Sequence, residues 1–132
     1  MRGPGSSVPN SKLAPFADQA YISLETFKKN GTGVKTPIWF VLHENAFYVY
    51  TEADSWKVKR IRNNPRVRVA VCSVRGTVKG PWLDGTASLV EGDERFAANE
   101  KLDRKYFMKK ILNFLSRLNR QHQRAMIKIQ TA

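Results

Sequence analysis

Cysteine is all but missing from this 132-residue chain, with Cys72 standing alone, so no internal disulfide can form. Histidine is nearly as scarce, at positions 43 and 122 only. Two imidazoles and one thiol so scattered do not make a metal-ligand cluster. No apolar run approaches the roughly 20 residues of a membrane-spanning helix. The opening stretch MRGPGSSVPNSKLAP lacks the apolar centre of a secretory signal, which makes a cytoplasmic location the expectation. Acidic residues are few as well. There are 11 against 23 Lys and Arg, leaving a formal net charge of +12. An excess of that size points to a polyanionic ligand or partner.

The hydrophobic pattern is that of one domain. Residues 1–14, rich in Gly, Pro and Ser, have little to bury and read as a flexible N-terminal arm, with a single domain over 15–132. A short turn or helix is expected around Pro15 to Gln19. YISLETF, VKTPIWFVL and AFYVYT then read as three strands, joined by a Gly-rich turn and by His43-Glu44-Asn45. Pro37 removes a ladder donor, so its strand should lie at an edge or bulge. Asp54 or Ser55 can cap a helix through WKVKRIRNN, which Asn64 and Pro65 end. RVRVAVCSV alternates Val67, Val69 and Val71 against Arg66, Arg68 and Ala70, a half-buried strand. LDGTASLVE gives another strand. A long helical stretch follows from Glu91, carrying an apolar stripe at Phe107, Ile111, Phe114 or Leu115, and Leu118. AMIKIQT returns as a last strand. The expected order is β-β-β-α-β-β-α-β, mainly β with helices.

Charge is concentrated. Between Ser55 and Leu83 lie Lys57, Lys59, Arg60, Arg62, Arg66, Arg68, Arg75 and Lys79, and no acid. Like charges at three- and four-residue spacing on a short helix repel one another, and a counter-anion relieves that cost. In TEADSWKVKR a strand ends, a hydroxyl stands at a helix N-terminus and cations follow within two turns. Thr51, Ser55, Lys57 and Arg60 are therefore a candidate phosphate site. The plainer reading is that Thr51 and Ser55 only cap the helix. Trp39, Trp56 and Trp82 are first of all packing residues, although the Gly80-Pro81-Trp82 corner could wall a flat heterocycle. Cys72 reads as a small buried residue.

From Val34 through Glu91 the chain resembles the split β-barrel oxidoreductases related to pyridoxamine 5'-phosphate oxidase, and more closely the branch that uses the deazaflavin coenzyme F-420. The likeness rests on Thr36-Pro37 with Trp39-Phe40, on Tyr48 to Thr51, and on Ser55, Lys57, Val58, Arg60 and Ile61. Asn64-Pro65-Arg66-Val67, Arg75-Gly76, Lys79-Gly80-Pro81-Trp82 and Gly85 extend it. The resemblance implies a split β-barrel and a homodimer with its cofactor in a groove between subunits. It places the cofactor phosphate at Thr51, Ser55, Lys57 and Arg60. Lys35, Thr36 and Pro37 would flank the ring, and Lys79, Gly80, Pro81 and Trp82 would approach it from the same or the other subunit.

The activity so implied is hydride transfer between coenzyme F-420 and an electron-poor organic acceptor, with the protein positioning the two rings. No catalytic triad or carboxylate pair is visible. Lys35 or Lys79 could assist an anionic product, and Tyr48 or water could deliver a proton. The alternatives are an FMN-dependent oxidase or reductase of the same fold, and a cofactor-binding protein without turnover. Nucleic-acid binding is suggested by net charge and surface aromatics, but no recognition motif is present. Peripheral membrane contact through the late basic helix is a weaker option still.

Overall fold

A computed structural model describes residues 12–106 and 124–131. The amphipathic stripe expected at Phe107 to Leu118 lies outside the described residues, as do residues 1–11 of the expected arm. Among the described residues, seven strands form one antiparallel sheet with two helices and a 3-10 turn at Ala14–Phe16. The strands are β1 (Tyr21–Phe27), β2 (Gly33–Trp39), β3 (Val41–His43), β4 (Ala46–Glu52), β5 (Arg66–Cys72), β6 (Leu83–Val90) and β7 (Arg124–Thr131). Helix α1 (Trp56–Asn63) follows β4, and α2 (Gly92–Lys105) follows β6.

Most elements form where the alternation and the turn residues put them. Glu44 and Asn45 both adopt positive φ, 51° and 63°, the backbone that a two-residue hairpin turn needs. Ser55 is the cap of α1, its hydroxyl accepting the Val58 N–H at 3.4 Å, and Val58 and Ile61 face inward. One face of the sheet carries Ile22, Leu24, Val67, Val69, Phe47, Val49, Ile127 and Ile129 into the main core, together with Leu13 and Phe16. The other face holds a second cluster in which Tyr48 and Met126 meet Ala98, Leu102 and Tyr106 of the α2 end. Helix α2 is pinned through Glu94, which accepts from the Tyr48 hydroxyl and pairs with Lys128 at 2.8 Å. Those two contacts, Lys128 first, hold the Glu94 carboxyl below the usual carboxylate range.

Two expectations require correction. The stretch from Val34 to Leu42 is not one strand but two, broken at Phe40, so four strands precede α1. And the sheet does not close into the expected split β-barrel. Its order is β2-β1-β5-β6-β7-β4-β3, which leaves β2 and β3 as two unjoined edges. The reason lies at the break. The Phe40 N–H donates to the Tyr106 hydroxyl at 3.1 Å, and that hydroxyl, with one proton to donate, lies 2.7 Å from the Phe40 carbonyl and 2.8 Å from the Ala20 carbonyl. A buried backbone group must find a partner, and here a side chain from the end of α2 supplies it in place of a ladder. Pro37, as expected, sits on an edge strand, opposite Ser23.

The same corner makes stability depend on pH. The Lys105 ammonium donates to the Phe40 carbonyl at 3.0 Å and lies 3.6 Å from the centre of the Phe40 ring. Burial lowers its pKa to about 8, with a weak opposing pull from Asp18. An unfolded lysine titrates near 10.4. Between these values the unfolded chain binds more protons than the folded one, so this group makes stability rise with pH from about 8 upward. Below pH 8 the cost of the charged form is present in full. Urea unfolding between pH 7.5 and 9.5 should show that rise, and Lys105→Met should flatten it. An equal rise in both proteins would place the effect elsewhere.

Candidate functional site

The predicted residues fall into two groups on the sheet. Around the start of α1 stand Thr51, Ser55, Lys57 and Arg60. Thr51 is the last residue but one of β4, paired with Ala125. Lys57 is half-buried, and its pKa is lowered first by that burial and then by the neighbouring Arg60, against a weaker pull from Glu52. Arg60 donates from Nε to the buried Thr26 hydroxyl at 2.8 Å, which fixes the guanidinium beside the lysine. Ser55 is already engaged as the cap, so its hydroxyl serves the helix first. Trp56 is 69% exposed and lies against the Lys59 ammonium at 4.5 Å.

The second group gathers β2 and the β5–β6 connection. Lys35 and Pro37 project from one face of β2, and Thr36 from the other, opposite the core residue Leu24. After β5 the chain turns sharply at Gly76 (φ 91°), where the Ser73 hydroxyl accepts from the N–H groups of Arg75 and Thr77. The turn brings Gly76 against the Pro37 ring, close enough that a Cβ there would lie 3.8 Å from it. The Lys79 N–H donates to the Val71 carbonyl at 2.8 Å and leads the chain back along β5. Trp82 then lies across the outer face, its ring 5.3 Å from the Lys35 ammonium and 4.8 Å from the Arg68 guanidinium. Lys35 and Trp82 are thus brought together, and by the same chain, with Pro37 two residues along the same face of β2 and against Gly76. Lys79 and Pro81 remain exposed on the connection, with Gly80 half-buried between them.

Beneath Trp82 is a residue that sequence reasoning passed over. Glu25 is buried in β1 at 6% exposure, and it accepts from Arg68 at 3.0 Å. Its carboxylate lies over Gly33, where a Cβ would stand 2.0 Å from Oε2. An acid inside the apolar strand YISLETF, with a glycine across the hairpin, was the available signal. The pair also changes the charge ledger of the basic run. Arg68 meets Glu25 and Asp84, and Arg66 meets Asp84. Lys57, Lys59, Arg60, Arg62, Arg75 and Lys79 have no carboxylate at salt-bridge distance among the described residues.

Tyr48 is not a proton donor to this face. It is buried with α2 and hydrogen-bonded to Glu94, and burial followed by that contact pushes its pKa well above the ordinary value. Cys72 is buried too, and burial raises its thiol pKa against a smaller opposing effect of Lys79, so it is not a thiolate at neutral pH. Among the described residues no group of His, Cys, Asp and Glu is placed to hold a metal, and no helix is long and apolar enough to cross a membrane.

A family model for pyridoxamine 5'-phosphate oxidase matches residues 11–132. Among solved structures, the chain is similar to the heme storage protein HutZ of Vibrio cholerae, at 15% identity over 95% of this chain and 92% of that one, with a TM-score of 0.68. A conserved hypothetical protein of Mycobacterium tuberculosis is similar at 19% identity and TM-score 0.66, covering 99% and 85%. A candidate 5-nitroimidazole antibiotic resistance protein of Bacteroides thetaiotaomicron gives 10% identity and TM-score 0.65 over 94% and 81%. At such identities the likeness is one of fold. No curated protein matches the chain by sequence.

Proposed function

Since the chain belongs to the pyridoxamine 5'-phosphate oxidase family, we propose that it is an oxidoreductase whose single domain, from residue 15 onward, binds a phosphate-bearing flavin of the FMN class. One observation carries this reading: Lys57 and Arg60 lie one helical turn apart, both half-buried, with no carboxylate at salt-bridge distance among the described residues. Two unneutralised cations beside a helix N-terminus suit a phosphate, which would also meet the N–H groups of the first turn. The residues present fit such a group. Lys35, Pro37 and Trp82 offer a partly apolar shelf to a ring, and Lys35 and Lys79 offer positive charge to an anionic ring edge. The cofactor when bound supplies the hydride or electron transfer to a small-molecule acceptor. The chain's own part is to anchor the phosphate through Lys57 and Arg60, to hold the ring against β2, and to narrow the face with the β5–β6 connection. The reading includes a homodimer, a second copy covering the ring face.

Coenzyme F-420 is a second reading. It is favoured by the cations Arg62, Arg75 and Lys79, which lack carboxylate partners among the described residues and would suit a longer anion. Parallel titration of FMN and oxidised coenzyme F-420 at physiological salt, followed by tryptophan quenching, separates the two. The expected result is saturable FMN binding that Lys57→Ala weakens by about tenfold or more, the loss of one charge-assisted contact. Preference for the deazaflavin would exchange the cofactor and keep the anchor. If neither binds, the phosphate assignment fails, and a steep fall of nucleic-acid affinity with salt becomes the test of the basic face.

A further inference from the structure

A cavity of about 550 Å³ opens between the β1–β2 hairpin and the outer side of α1, apart from the shelf of Lys35, Pro37 and Trp82. Its apolar walls are Phe27, Val34 and the indole of Trp56. Its remaining wall is almost wholly cationic, with Lys28, Lys29, Lys59 and Arg60, and no Asp or Glu lines it. None of these four cations has an ion pair among the described residues. The walls are held in place from behind. Phe27 is stacked by the Arg66 guanidinium at 4.9 Å, Arg60 is tied to Thr26, and the hairpin turn is closed by the Lys28 N–H to Thr32 carbonyl bond and by Asn30 accepting from the Thr32 N–H.

The Trp56 indole is 69% exposed, and the one cation against its ring, Lys59 at 4.5 Å, itself has no carboxylate partner among the described residues. Apolar rings on one side and positive charge on the other are complementary to a planar aromatic body carrying a carboxylate, sulfonate or phosphate. The volume falls in the range of small-molecule sites. We infer that this cavity is a second ligand site, selective for aromatic anions. The ring would lie between Trp56 and Phe27, and the anionic group would face Lys59 and Lys28. Arg60 is shared with the proposed phosphate anchor, whereas Trp56 and Lys59 take no part in it, so variants at those two positions separate this site from the cofactor reading.

The probe is 8-anilinonaphthalene-1-sulfonate, with the uncharged N-phenyl-1-naphthylamine as its counterpart, titrated into the full chain by fluorescence. Trp56→Ala and Lys59→Glu are the variants, and both alter exposed side chains, so circular dichroism should show the fold retained. The expected result is one sulfonate site per chain, weakened about tenfold by each variant and bound about tenfold less well in the uncharged form. FMN affinity should be the same in the wild type and the Trp56→Ala protein. Sulfonate binding indifferent to either variant, or equal binding of the uncharged molecule, overturns the site. Stoichiometric displacement of the sulfonate by FMN also overturns it, because the cavity is then part of the cofactor groove. Sulfonate binding in the absence of any FMN binding removes the cofactor reading and leaves this one standing.

Discussion

Arg68→Ala should cost about 3–5 kcal/mol of folding stability, the loss typical of a buried ion pair deprived of one partner. Glu25 has 8% of its side chain exposed, and its guanidinium partner 33%. Without Arg68 the carboxylate is left in a strand covered on both faces, under Trp82 and over the bare Cα of Gly33. A buried carboxylate without a partner is costly. Urea denaturation measures the loss. Arg62→Ala is the control, since Arg62 is exposed on the same run and should move stability by no more than about 0.5 kcal/mol. Replacing both partners by apolar residues, Glu25→Leu with Arg68→Met, should recover much of the loss. A cost for Arg68→Ala no greater than the control would mean that Glu25 reaches water in solution. Because Arg68 also packs on Trp82, the same variant should loosen the ring shelf, which a weaker response of tryptophan fluorescence to FMN would register.

Phe40→Ala should destabilise the protein by about 3–5 kcal/mol as well, through lost burial and the cavity left behind. The ring is fully buried between the edge strands. It meets Phe16 edge-on at 6.4 Å and Phe47 at 5.7 Å, and the Lys105 ammonium caps it. The chain passes from β2 to β3 at Phe40 with no ladder between the two strands, and this side chain and the Tyr106 hydroxyl fix the backbone at that break. Thermal unfolding should report the loss, and Phe40→Leu should show a smaller one in proportion to its smaller cavity. Water admitted beside Lys105 should return its pKa toward the ordinary lysine value and so reduce the alkaline rise in stability. A Phe40→Ala protein as stable as the wild type would show that the break is held by other contacts.

Local order was written in the sequence, and for a local reason. The alternation of Val67, Val69 and Val71 with Arg66, Arg68 and Ala70, the positive-φ pair Glu44-Asn45, and Ser55 ahead of an apolar i, i+3 pair each act within a few residues. Their elements therefore form as read. The antiparallel edge position of Pro37 follows from a missing donor in the same way. For the candidate site, the sequence grouped Lys57 with Arg60 because one helical turn separates them, and it matched Lys35 and Pro37 to Trp82 only through family resemblance.

What the tertiary structure alone decided are contacts between residues distant in the chain. Tyr106 meets Phe40 across 66 positions, and that hydroxyl satisfies the Phe40 backbone at the point where one expected strand becomes two. Glu25 meets Arg68 across 43 positions, which withdraws one cation from a basic run that had seemed uniformly free. The aromatic and cationic walls of the second cavity come from the β1–β2 hairpin and from α1, and neither segment carries the pattern by itself. Periodicity records which side of an element is apolar. It does not record which polar atom on another element will satisfy a buried backbone group or an enclosed charge, because that partner is fixed only when the sheet order and the docking of α2 are fixed.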